Sequence, residues 1–270
     1  MTGREIARIM EEIAPRSLAC EWDSVGVMTG SLGSEITGIM LCLDLTQEVL
    51  EEAAGENCNM IITHHPLIFH PLKNLSEDHV RGKLLCEVVR HGILVFSAHT
   101  NLDYTEGGVN DALLKQLGAI NMAFDKSGRH RCGELPYAMS VRDFVDTASE
   151  KLCAEGVRVI LPPAIESGDY IKNIGVCCGS FDGETDWIYE CGVDVLVTGE
   201  VKHSDAIDLE MEDFVTVAAG HYPTEIWGVD NLAMLLGERL MESERADAPE
   251  VFVSSTSRNP LRSQDELYNS

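Results

Sequence analysis

The stretch NMIITHHPLIF, residues 59–69, decides how the chain is read. It opens as a short apolar run without alternation, the pattern of a strand buried on both faces, and stops at two adjacent histidines followed by proline. Similar runs lie at EITGIMLCLDL (35–45), ILVFSAH (93–99) and DVLVTGE (194–200). IKNIGVCCGS (171–180) and FVTVAAGH (214–221) read as further strands. Helical patterns separate them: TQEVLEEAAGE (46–56), VRGKLLCEVVRHG (80–92), GVNDALLKQLG (108–118), VRDFVDTASEKLCAEG (141–156) and PTEIWGVDNLAMLLGERLMES (223–243). Strand and helix alternating in this way predict an α/β fold with mostly parallel sheets.

At 270 residues the chain exceeds the usual span of one domain, about 100–200 residues, so two α/β domains are expected. The polar stretch DKSGRHRCGELP (125–136) is the candidate boundary. The first domain, 1–130, then carries His64, His65, His99 and Asp103. The second, 131–253, supplies His221 and Glu225, and 254–270 reads as a flexible tail. The start, MTGREIARIMEEIAP, is an amphipathic helix with Ile6, Ile9, Met10 and Ile13 on one face. Thr2 and Glu5 have capping-box spacing, so it reads as a structured beginning with no address tag.

Charge narrows the partners. There are 45 acidic and 20 basic residues, a net charge of −25. Such a chain repels phosphate backbones and anionic lipid, which makes nucleic acid an unlikely partner and argues against a membrane. No segment approaches the run of about 18 apolar residues that a membrane span needs. The nine cysteines form no CxxC pair, and Cys42, Cys177 and Cys178 fall in apolar runs. They read as reduced thiols of a cytoplasmic protein.

Histidine placement carries the chemistry. His64, His65, His99 and His221 each fall at or just past the carboxyl end of an expected strand, where open α/β sheets bind ligands. Asp103 and Glu225 each follow a histidine by four residues, in HTNLD and HYPTE. Imidazole with carboxylate and without thiolate suits zinc, iron or manganese. Adjacent strand residues point to opposite faces, so His64 and His65 fit two neighbouring ions better than one. Glu225 and Asp103 are the candidate bridging carboxylates for cations about 3.5–4 Å apart. Pro223 suits a first helical turn, which puts His221 before the helix and Glu225 inside it. In TGEVKHSDAID (198–208), Glu200, Lys202 and His203 enter a helix from a strand end, as a pocket wall, a support for the metals or a plain turn. Trp22 and Asp23 are expected to anchor their loop against the core, and the glycines of GVCCGSFDGE (175–184) to make a tight turn. His70, His79, His91 and His130 show no partner pattern and read as structural or solvated.

The strings EWDSVGVMTG, IITHHPLIF, SAHTNLD, TGEVKH and GHYPTEIWG resemble the signatures of the Nif-three-like dinuclear metal-centre family, whose members are often labelled homologues of type 2 GTP cyclohydrolase I. The resemblance runs in order across about residues 1–243. It implies two α/β domains with a two-metal site in the cleft between them, and a toroidal homohexamer. His64, His65, Asp103, His221 and Glu225 match the family's metal-ligand positions, and His99 matches a histidine beside the metals. The usual WDN is WDS here, with Ser24, and CCGSFDG is bulkier than the family's glycine-serine motif.

The implied function is a metal-dependent hydrolase in which two divalent ions activate water against a purine nucleotide such as GTP, with His99 or Glu200 moving protons. The rival is a non-catalytic metal-handling protein, a metallochaperone, or a regulatory scaffold of the same family.

Overall fold

Buried apolar runs pair in parallel in each of two sheets, and strands with exposed residues close the sheet edges. Numbering follows the chain. The first sheet contains β1 (Gly26–Thr29), β2 (Gly38–Cys42), β3 (Met60–Thr63), β4 (Leu94–Ser97) and β11 (Glu250–Val253). Its order is β1-β4-β3-β2-β11, with β11, β2, β3 and β4 parallel and β1 antiparallel to β4. Every residue of β2, β3 and β4 is buried, as unbroken apolar runs require when both faces are covered. Met40, Ile61 and Val95 pack in one cluster with Val49 and Leu50 of α2 (Gln47–Gly55) and Leu85 and Val88 of α3 (Val80–Arg90). Thr46 caps α2 by accepting from the Val49 amide at 3.3 Å. The first helix, α1 (Gly3–Ile13), starts on the expected capping residues: the Glu5 carboxylate accepts from the Thr2 amide at 2.8 Å and its hydroxyl at 2.9 Å.

The computed structural model describes residues 1–262, and they form two compact units. One joins Met1–Gly108 to Val229–Arg258, and the other spans Val109–Gly228 with residues 259–262. The second unit's sheet contains β5 (Ile120–Phe124), β6 (Arg131–Ser140), β7 (Arg158–Ile160), β8 (Tyr170–Ser180), β9 (Val195–Glu200) and β10 (Val215–Ala218), ordered β5-β6-β8-β9-β10-β7. Only β8, β9 and β10 are parallel, and β5, β6 and β7 join antiparallel. The expected α/β class holds in both units, with parallel strands β2, β3 and β4 inside the first sheet and β8, β9 and β10 inside the second.

The expected boundary at 125–136 lies inside the second unit, as the hairpin turn 125–130 and the first part of β6. The Asp125 carboxylate accepts from the amides of Ser127 (3.1 Å), Arg129 (2.9 Å) and His130 (2.9 Å), which turns β5 into β6. Polar turn chemistry and a linker look alike in sequence. The segment after β11 also departs from expectation, because the Glu52 carboxylate accepts from the amide (2.9 Å) and hydroxyl (2.6 Å) of Ser255 and the hydroxyl of Thr256 (2.9 Å). The rest of the expected tail, 263–270, lies outside the described residues.

His130 is buried. It is 2% exposed and stacks on Trp187 at 4.5 Å between ring centroids, with Asp182 at 2.8 Å on Nε2 and Asp125 at 3.5 Å on Nδ1. Burial pushes its pKa down, but the Asp182 hydrogen bond and the two carboxylate charges outweigh that and raise it. A raised folded-state pKa lends stability that is complete below about 6.5 and is lost as pH rises through the folded value. His130→Gln should therefore flatten the fall of the urea midpoint as pH rises above about 6.5. An identical pH slope in wild type and variant would refute this.

Candidate metal centre

Register places the first donor set. Cys42, Thr63 and Ser97 stand abreast on β2, β3 and β4. The ladder continues past the strand ends, with His64 N donating to Cys42 O (3.1 Å), His65 N to Leu43 O (3.0 Å) and Ala98 N to Thr63 O (3.0 Å). Three parallel strands thus deliver Asp44, His64, His65 and His99 to one sheet edge. Each histidine is held at Nδ1: His64 at 3.0 Å from the Ala98 carbonyl, His65 at 2.9 Å from Asp44 Oδ1, and His99 at 2.8 Å from Asp23 Oδ1. An acceptor at Nδ1 fixes the proton there and leaves the Nε2 lone pair for a metal or a proton. Ring centroids are 5.1 Å apart for His64–His65, 5.2 Å for His64–His99 and 5.6 Å for His65–His99. Asp103, in α4 (Thr100–Tyr104), stands 3.5 Å from His64 Nε2.

Asp23 and Asp44 were not singled out as site residues by the sequence. Asp44 ends the run LCLDL, so a carboxylate at a strand end was the available signal. The Asp23 side chain is fully buried; burial alone would raise its pKa, but hydrogen bonds from His99 and Thr100 hold the carboxyl at about 2. Ser24, the departure in WDS, donates its hydroxyl to Phe69 O at 3.2 Å. Trp22 differs from expectation: it is 62% exposed and does not anchor the loop, a task that falls to Asp23.

The second donor set forms in the same way at the carboxyl edge of β8, β9 and β10. Ser180 and Glu200 are register partners, and Gly220 N donates to Gly199 O at 3.0 Å. His221 is the first residue of α9 (His221–Glu242), whereas the sequence reading put it before the helix. The Thr224 amide reaches Gly220 O at 3.3 Å, so the first turn closes over Pro223, which needs no amide donor there. His221 and Glu225 are consequently i,i+4 neighbours, 3.1 Å apart at Nε2 and Oε2. Glu200 Oε2 stands 3.4 Å from His221 Nδ1 and accepts from Ser180 Oγ at 3.2 Å, the place of an orienting carboxylate. Lys202 and His203 are exposed at the start of α8 (His203–Met211).

The glycines of 175–184 do more than turn the chain. Gly179 has φ +61°, and a Cβ there would lie 2.2 Å from Glu225 Oε1 and 3.2 Å from His221 Nε2. Gly179→Ala should displace the Glu225 carboxylate and weaken metal binding about 10- to 100-fold, the cost of disturbing a ligand's support. Isothermal titration of metal-free protein with zinc measures it, and unchanged affinity would remove this role from Gly179.

The donor chemistry fits a divalent transition ion: imidazole Nε2 atoms and carboxylate oxygens converge in each unit, with no thiolate among them. His64, His65 and His99 can offer atoms within 4.8 Å of one another. All nine cysteines are free thiols, and no helix among the described residues is long and apolar enough to cross a membrane.

A family model described as Duf34/NIF3 (NGG1p interacting factor 3) matches residues 1–260. The chain belongs to this family. Within the Duf34/NIF3 family it is similar to the GTP cyclohydrolase 1 type 2 homolog of Clostridium acetobutylicum, 33% identical over 233 residues that cover 82% of this chain and 84% of that one. The protein of the same name from Clostridium perfringens is 30% identical over 268 residues, covering 97% and 99%. Among solved structures, a Staphylococcus aureus hypothetical protein superposes with a TM-score of 0.90 at 27% identity, covering 97% of this chain and 99% of that chain. A Bacillus cereus protein related to NIF3 shares the fold, with a TM-score of 0.89 at 21% identity over 97% and 99%. The resemblance read from the histidine and WDS motifs is thus the correct family.

Proposed function

We propose that this Duf34/NIF3 protein is a metal-dependent hydrolase acting on a purine nucleotide or related small molecule, GTP being the first candidate from the relatives' name. The observation that carries the reading is the sheet edge where His64, His65 and His99 each have Nδ1 tied to an acceptor. Solvated surface histidines have no need of such buttressing; ligands and proton carriers do.

His64, His65 and Asp103, with His221 and Glu225, would hold a pair of zinc, iron or manganese ions. When bound, such ions lower the pKa of water toward about 7 and polarise the electrophile. The protein's own part is orientation and proton transfer. Ala98 O and Asp44 aim His64 and His65, Glu200 aims His221, and Asp23 keeps the His99 proton on Nδ1 so that Nε2 can take one from the nucleophile. Glu200, exposed beside His221, is the second candidate proton carrier. We place the protein in the cytoplasm, as a toroidal homohexamer.

Metal-loaded protein should turn over GTP or a related nucleotide with a bell-shaped pH–rate profile, and chelation should abolish it. Protein that retains its metals and hydrolyses none of these substrates would overturn the reading. Rapid release of those ions to an acceptor protein would then favour the metal-handling alternative.

A further inference from the structure

Trp22 combines two properties that conflict in a folded chain: the residue is 62% exposed, and the backbone that carries it is clamped. The Cys20 amide donates to Thr100 Oγ1 at 3.0 Å, just before it. Just after it, Asp23 accepts from the Thr100 amide at 3.0 Å and from its hydroxyl at 2.6 Å, and Ser24 donates to Phe69 O. An exposed aromatic on a loose loop folds back onto apolar surface, but this one is held out by polar anchors on both sides. Its surroundings are specific. The indole packs edge-to-face against Phe69 at 5.9 Å and 60°, and against His99 at 6.2 Å and 75°. His99 in turn lies 5.2 Å from His64 and 5.6 Å from His65. Held by these two T-shaped contacts and still 62% exposed, the indole offers a fixed aromatic surface beside the histidine cluster.

We infer that Trp22 is a specificity-determining residue: a planar conjugated ring of the substrate, of purine type, stacks on its exposed face and is thereby set beside the His64–His65–His99 edge. A flat π-face on a fixed support binds heteroaromatic rings with little conformational cost, because the support is already ordered before the ligand arrives. The inference rests on the hydrolase reading only for its choice of purine, since stacking needs no turnover. It also gives the WDS loop two tasks at adjacent residues: Asp23 orients His99 from inside, and Trp22 receives the ring from outside.

The test uses GMP and ribose 5-phosphate as paired probes, titrated calorimetrically into wild-type, Trp22→Ala and Trp22→Phe proteins loaded with the same metal. Trp22→Ala should weaken GMP binding about tenfold or more, and Trp22→Phe should restore it to within about threefold of wild type. Ribose 5-phosphate affinity and metal content per chain should be the same in all three. Equal GMP affinity in wild type and Trp22→Ala overturns the inference, as does no GMP binding to wild type, or a parallel loss of ribose 5-phosphate or metal in both variants. A wild type that binds GMP through Trp22 and turns over no nucleotide sinks the hydrolase reading and leaves the stacking platform standing. One that hydrolyses GTP equally well as Trp22→Ala does the reverse.

Discussion

Replacing His65 with alanine is expected to lower the bound metal of protein purified without chelators from about two ions per chain to one or none. His65 follows β3 directly, its amide donates to Leu43 O, and Asp44 buttresses its Nδ1, which turns Nε2 toward a metal. Removing the imidazole removes a donor outright. Removing only its buttress, in Asp44→Asn, leaves the donor and should cost about 10- to 100-fold in affinity. The order of effects is therefore His65→Ala, then Asp44→Asn, then wild type. Elemental analysis per chain together with zinc titration of the chelator-stripped proteins measures all three. Wild-type metal content in His65→Ala would take His65 out of the centre.

Asp23→Asn should lower metal-dependent turnover about 10- to 100-fold while metal content per chain stays at the wild-type value. The carboxylate meets donors on both oxygens: His99 Nδ1 and the Ser24 amide on Oδ1, and the Thr100 amide and hydroxyl on Oδ2. An asparagine of the same shape must turn its NH2 toward one of these pairs, so a donor faces either His99 Nδ1 or the Thr100 amide and the support of the His99 ring is disturbed either way. The effect is distinguishable from unfolding, because the hydrogen-bonded Nδ1 proton of His99 should disappear from the NMR spectrum of an otherwise native fold. Retained turnover together with a retained resonance would show that Asp23 does not position His99. The pH dependence has a definite sign. With its carboxyl lowered to about 2, Asp23 lends stability that is present above the ordinary carboxylate value of 3.8 and is lost as pH falls toward 2. The variant should lose that acid-side dependence.

Much of this was legible in the chain itself, for particular reasons. β2, β3 and β4 declare themselves because both faces are buried, which leaves runs such as MIIT and LVFS with no polar interruption. β5, by contrast, is exposed along its whole length, so INMAF has no burial pattern to read, and its partner β6 opens with the polar RCGEL. Both were missed, and the hairpin joining them passed for a linker. β1 and β11 escaped for a related reason: each is a four-residue edge strand with partly exposed residues. Among site residues, the histidines were visible because a polar residue that ends an apolar run stands out. Asp23 was visible only as part of a motif; its anchoring of the loop was read correctly, whereas Trp22 beside it is exposed.

The sequence by itself determined the α/β class, the central strands, the family, and the placing of His64, His65, His99 and His221 at strand ends. Each follows from patterns within a few residues, since burial and strand termination are local. Tertiary structure alone decided which carboxylate serves which imidazole. Asp44 is 21 residues from His65, and Asp23 is 76 from His99. Those distances close only because β2 pairs with β3 and the loop before β1 lies against the start of α4. Strand order is a long-range choice that no local pattern encodes, and it turns four separate strand-end histidines into two ordered donor sets.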